Sequence, residues 1–85
     1  MDLNSSILFL LAYHRDSTPE KVSKYFKTKK GQYGAHDQFL GITAPTLQKL
    51  AKPYRYLNFT ELQILITSPF NEVRYFVLQI LKYQF

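Results

Sequence analysis

Apolar residues recur along this chain at three- and four-residue intervals, in blocks separated by capping residues and helix breakers. That spacing puts side chains on one side of an α-helix, and five helices follow from it. The first runs from about Ser6 to His14, with Asn4 or Ser5 as N-cap and Ile7, Leu8, Leu10 and Leu11 apolar. "STPEK" signals the second: Ser17 or Thr18 caps, Pro19 takes the first turn where its missing N–H costs nothing, and Glu20 meets the positive helix end. Val22 and Phe26 form its core face, Lys21, Lys24 and Lys27 a stripe on the other side, and Tyr25 the border between them. The third starts after Thr43 with Pro45 in its first turn; Leu47, Leu50, Ala51 and Tyr54 share a face, Lys49 and Lys52 point elsewhere, and Pro53 ends it early. The fourth is capped by Asn58 or Thr60 and carries Leu62, Leu65 and Ile66. The fifth opens with "SPFNEVR", Ser68 capping and Pro69 following, and runs to the end of the chain.

The last helix is apolar over most of its circumference. Asn71, Glu72, Gln79 and Lys82 fit within an arc of roughly 100°, and Phe70, Val73, Phe76, Val77, Leu78, Ile80, Leu81 and Phe85 occupy most of the rest, about twice the usual apolar stripe. Such a helix calls for neighbours on two sides. The expectation is the front part of a longer repeat array, or a chain that pairs with another copy; the plainer alternative is the terminal helix of a complete small bundle. "TPEKVSKYF" (18–26), "APTLQKLAK" (44–52) and "SPFNEVRYFVLQIL" (68–81) each place a small residue and then proline at a helix start, a spacing near one helical hairpin.

Between the second and third helices the pattern lapses. "KTKKGQYGAHDQFLGIT", Lys27 to Thr43, is lysine-rich and punctuated by glycine, and it is longer than the roughly 2–8 residues of most helix–helix connections. Phe39, Leu40 and Ile42 are placed in the core.

Composition narrows the reading. Eighty-five residues make a single domain over 1–85. Without cysteine there are no disulfides or thiolate metal sites, and His14 and His36 lack ligand spacing, so no metal and no cofactor is expected. "SSILFLLAY" is too short to span a bilayer and is not a secretory signal, which excludes the membrane and leaves the cytoplasm as the expected location. The net charge of +5 is uneven. Lys21, Lys24, Lys27, Lys29, Lys30, Lys49, Lys52 and Arg55 face Asp37 alone between residues 21 and 55, while the segments on either side are acidic or neutral. A basic segment of this kind suits a polyanion, against the alternative of a solvated face that keeps the chain soluble. There are no paired carboxylates at helical spacing and no nucleophile–base pair; His36 and Asp37 are adjacent and would not share a face.

Two stretches carry a family resemblance. "SPFNEVRYFVLQIL" resembles the second helix of a HEAT-type repeat. "KYFKTKKGQYGAHDQFLGITAPTLQKLAK" (24–52) resembles the N-terminal region of the DNA alkylation repair family, the AlkD-like glycosylases built from HEAT-like repeats, through Tyr25-Phe26-Lys27, Gly31-Gln32-Tyr33-Gly34, Asp37, Phe39-Leu40-Gly41-Ile42, and Pro45 followed by Leu47, Lys49 and Leu50. The likeness runs from about residue 7 to the end. It departs at His36, at Ala44, where a polar residue is expected, and at Pro53, where the family continues a helix.

The resemblance implies an all-α fold, about five helices arranged as antiparallel hairpins of a HEAT-like α-solenoid, here a truncated array. It implies duplex DNA as partner, held by its backbone on a basic track, and excision of N3- and N7-alkylated purines by Asp, Arg and Trp residues of later repeats. This chain has no tryptophan, so it is expected to be the DNA-binding part and catalytically incomplete. Lys27, Lys29 and Lys30 can neutralise phosphates, each contact adding about −0.9 to the salt slope of log K. Gln32 and Tyr33, between glycines, can donate to phosphate oxygens. Thr43 stands at a helix N-terminus that favours an anion. Tyr25 borders the lysine stripe, and Lys49 joins the set from the third helix. Against these, Tyr33 and Phe39 could simply pin the loop, Thr43 only cap, and Gly41 only permit a turn. The competing expectation is a HEAT-like protein-interaction module that docks a partner or a second copy through Phe76, Ile80 and Phe85.

Overall fold

The computed structural model describes residues 2–30 and 38–84, apart from the side chains of 26–30. Among these residues the fold is all-α: α1 (Leu3–Tyr13), α2 (Pro19–Lys30), α3 (Ala44–Ala51), α4 (Phe59–Ile66) and α5 (Asn71–Gln84), with a 3₁₀ turn at Lys52–Tyr54. The one bridge between extended residues described joins Gln38 to Phe70.

Local chemistry accounts for most boundaries. α1 begins earlier than expected because Asp2, not Asn4 or Ser5, is the cap; its Oδ1 accepts from the Ser5 amide at 2.8 Å. A carboxylate there also meets the positive helix end, and the Ser5 amide holds the Asp2 carboxyl below its usual range. Thr18 caps α2, its hydroxyl accepting from the Lys21 amide at 3.2 Å. α2 continues through Lys27, Thr28, Lys29 and Lys30, residues assigned above to the connection. Nothing there breaks a helix: lysine is a good helix former and cations suit a helix C-terminus; the first breaker is Gly31. α3 stops at Ala51, ahead of Pro53, which falls in the 3₁₀ turn. α4 carries a full capping box, Asn58 Oδ1 accepting from the Glu61 amide and the Glu61 side chain from the Asn58 amide.

α5 does not start at Ser68–Pro69. Gln38 accepts from the Asn71 amide at 2.8 Å and donates to Pro69 at 3.3 Å, a bridge opposite Phe70 that delays the helix to Asn71. Ser68 instead braces the turn: its hydroxyl accepts from the Phe70 amide, and its carbonyl from Arg74 Nη1 at 2.7 Å.

α5 is the centre of the packing, with its largest interface on α3 and others on α4, α1 and the 3₁₀ turn. Ile7, Leu11, Ile42, Leu47, Ala51, Leu62, Leu65, Val73, Phe76, Val77 and Ile80 form one buried cluster, and Tyr54 meets Phe76 edge to face at 5.9 Å. The polar arc expected to face solvent is turned inward: Asn71, Glu72 and Gln79 are buried, and Leu78, expected on the apolar side, is 52% exposed. Phe76 and Ile80, the residues expected to meet a partner, are wholly buried within the chain; Phe85 lies outside the described residues. Ile66, at the last position of α4, is exposed, and Phe39 and Leu40 are only half-buried, leaving Ile42 as the core residue of its stretch.

The reason is Glu72. This fully buried carboxylate accepts from the amides of Leu40 (2.9 Å to each oxygen), Gly41 (2.8 Å) and Ile42 (3.3 Å). A segment without helix or sheet partners still has to satisfy its buried N–H groups. One side chain of α5 satisfies three of them and ties the 38–42 stretch to the core.

Candidate nucleic-acid interface

Residues 15–18 and 41–46 are knotted together, and the knot sets the position of α2 against α3. The Gly41 carbonyl accepts from the amides of Asp16 (3.2 Å) and Ser17 (2.8 Å). In return Asp16 clamps the start of α3: Oδ1 accepts from the Thr43 amide at 2.9 Å, and Oδ2 from the Thr43 hydroxyl at 2.8 Å and from the Thr46 hydroxyl. Thr43 is the N-cap residue of α3 by position, yet its own side chain makes no cap hydrogen bond. The carboxylate of Asp16 supplies the acceptor instead, and its charge suits that helix end.

Desolvation pulls the Asp16 carboxyl upward, but the hydrogen bonds from Thr46 and Thr43 together outweigh it, and the net direction is downward. A carboxyl lowered by folding contributes stability that is complete above its unfolded value and is lost as pH falls through the folded one. The Asp16-dependent part of the stability should therefore be complete well above about pH 4 and fade as pH falls below it. Urea midpoints of the wild type and Asp16→Asn should differ at neutral pH and converge at the acid end. Asp16 is exposed, so the difference at neutral pH should be modest.

Above the knot, α2 and the start of α3 enclose an open groove of about 400 Å³ lined by Ser17, Lys21, Val22, Tyr25, Thr43, Ala44 and Pro45. Val22 and Ala44 are buried and give the groove an apolar floor; Lys21 and Tyr25, four residues apart on α2, stand exposed at its edge. Lys49 lies one helical turn beyond Pro45 on the outward side of α3, and Lys52 follows; both are exposed. Lys21 is the cation on the groove itself, and Lys49 lies on α3 beyond the residues that line it. Glu20 stands beside Lys21, Ser23 and Lys24 around a second, shallower recess on α2.

The groove brings Tyr25, 48% exposed, together with Thr43. Lys49 is close by along α3. Thr43 already has an anionic partner in Asp16, so a phosphate would have to share or displace that carboxylate. Lys27, Lys29 and Lys30 have their backbone in the final turns of α2. Gln32 and Tyr33 lie outside the described residues. Two participants were not legible in advance. Lys21 counts in the α2 stripe and the basic segment but is not singled out for the site, and Asp16 gives no signal, since its partners are 27 and 30 positions away. Among the described residues no group of histidine, cysteine or carboxylate side chains could hold a metal ion, and no helix is long and apolar enough to cross a membrane.

Compared with known proteins, residues 9–85 match the model of one family, described as DNA alkylation repair enzyme. Neither the curated proteins nor the solved structures contain a match to the chain.

Proposed function

This chain belongs to the DNA alkylation repair enzyme family, and from that premise we propose that it holds duplex DNA by the sugar-phosphate backbone along the α2–α3 groove. The observation that carries the proposal is the meeting of Lys21, Tyr25 and Thr43 on one groove, within the part of the chain that holds eight of its eleven lysines and arginines. Lys21 neutralises a phosphate at the groove and Lys49 one farther along α3, and Tyr25 supplies a phenolic donor and an apolar ring for the sugar. Lys27, Lys29, Lys30, Gln32 and Tyr33 extend the contact beyond the groove, and Thr43 contributes where a phosphate shares the helix end with Asp16. The antiparallel-hairpin reading is supported by α4 packing on α5, its neighbour in sequence, and by the organisation of the other contacts around α5; the fold is taken as HEAT-like and the protein as acting in the cytoplasm. Backbone binding is the step assigned here; no described residue is given a bond-breaking role.

Fluorescence anisotropy with a labelled duplex tests this. Five phosphate contacts would give a slope of log K against log salt near −4.5, and an affinity that falls a few hundredfold between about 50 and 200 mM salt. Lys21→Gln should make the slope shallower by about 0.9 and weaken all sequences alike. Salt-independent binding, or binding indifferent to Lys21 and Lys49, would remove the proposal.

A further inference from the structure

The end of the molecule formed by the 3₁₀ turn, residues 55–58 and the last turn of α5 takes no part in the groove. There the Gln84 amide donates to the carbonyls of Arg55 (2.9 Å) and Leu57 (2.7 Å), pinning α5 onto the connection. Around this clasp Tyr56 is 78% exposed, Phe59 71% and Tyr83 46%. Scattered surface rings need no explanation, but three large ones carried on or beside the two segments that one clasp joins do. The same segments carry Lys52, Arg55 and Lys82, all exposed, and the carboxylate beside them, Glu61, is engaged by the Asn58 amide. Arg55 is held in place, its Nη1 donating to the Lys52 carbonyl at 2.9 Å.

We propose that this end binds unpaired nucleotides of a single nucleic-acid strand, with bases stacked on Tyr56, Phe59 and Tyr83 and phosphates on Lys52, Arg55 and Lys82. Exposed aromatic faces interleaved with cations are what such strands require: each base offers a π-face, and each phosphate a charge. A duplex stacks its bases on one another and offers no free face. A purely acidic partner would use the cations and leave the rings idle. The site is distinct from the groove, so the molecule would present a duplex-binding face and a separate strand-binding end.

The test is binding of a short oligothymidine and of an abasic oligomer of equal length, followed by anisotropy. The thymidine strand should bind more tightly than the abasic one, and Tyr56→Ala and Phe59→Ala should each cost roughly tenfold. Both side chains are exposed, so circular dichroism should show the fold intact; if Phe59→Ala unfolds, Tyr56→Ala carries the comparison alone. Lys21→Gln should weaken duplex binding and spare the oligothymidine, which separates this site from the groove. Equal affinity for the abasic oligomer, or no change on removing the rings, overturns the proposal and returns the patch to charge alone or to a protein partner.

Discussion

Glu72→Ala should cost the fold about 3–5 kcal/mol, enough to leave a domain of this size close to unfolding. The change removes one side chain but strands three amides, those of Leu40, Gly41 and Ile42, in a region that water does not reach freely. A buried donor left without an acceptor forfeits its full desolvation penalty, about 1–3 kcal/mol. Glu72→Gln keeps one acceptor oxygen but turns an NH₂ toward other N–H groups, so it should recover only part of the loss. Glu61→Ala is the comparison: it breaks an exposed capping box and should cost about 1 kcal/mol. Urea midpoints of the three variants should fall in that order. A Glu72→Ala midpoint close to that of the wild type would mean that the 38–42 stretch is held by something other than this carboxylate.

Gly41→Ala should be nearly as damaging, about 2–4 kcal/mol, and should also weaken duplex binding. Gly41 has a φ of +101°, where a side chain strains the backbone. A Cβ there would lie 2.8 Å from the Ser17 carbonyl oxygen and 3.2 Å from the Thr18 carbonyl carbon, both backbone atoms that cannot swing aside. Relief requires the 15–18 turn to move away from residue 41. That breaks the bonds from Asp16 and Ser17 to the Gly41 carbonyl and shifts α2 relative to α3, opening the groove. The diagnostic is the pairing of effects: anisotropy with duplex DNA, measured where the variant is still folded, should show lost affinity as well. Loss of stability with unchanged affinity would mean that the groove does not hold the DNA.

These residues also mark where reading the sequence stops working. Features set by neighbours in the chain were legible: Thr18 and Pro19 at the start of α2, the Asn58 cap, and the early stop imposed by Pro53. Tyr25 and Thr43, named from the sequence as candidates, do line the groove, because helix position is a local property; Lys49 lies beyond its lining. Glu72 and Asp16 were not. Each works on backbone amides 27 to 32 positions away, and no periodicity reports such a partner. On a helical wheel Glu72 belongs with the solvent-facing residues, and only the arrival of the 38–42 stretch makes its burial favourable. The same stretch explains Phe39 and Leu40, apolar residues that remain half-buried because it is the backbone of their segment, more than their side chains, that is docked.

The tie between Glu72 and residues 40–42 has a consequence for the order of events on a growing chain. Its ends are separated by 30 to 32 positions, so loop-closure entropy is spent before any return. During synthesis α1 and α2 emerge first, and their turn has Gly41 to hold onto long before Gly41 itself has an anchor. The middle of the chain should therefore remain protease-sensitive until α5 leaves the ribosome, then close late and cooperatively. A nascent chain stalled ahead of residue 72 should be nicked near residues 38–42, while one released after Gln84 should be protected there.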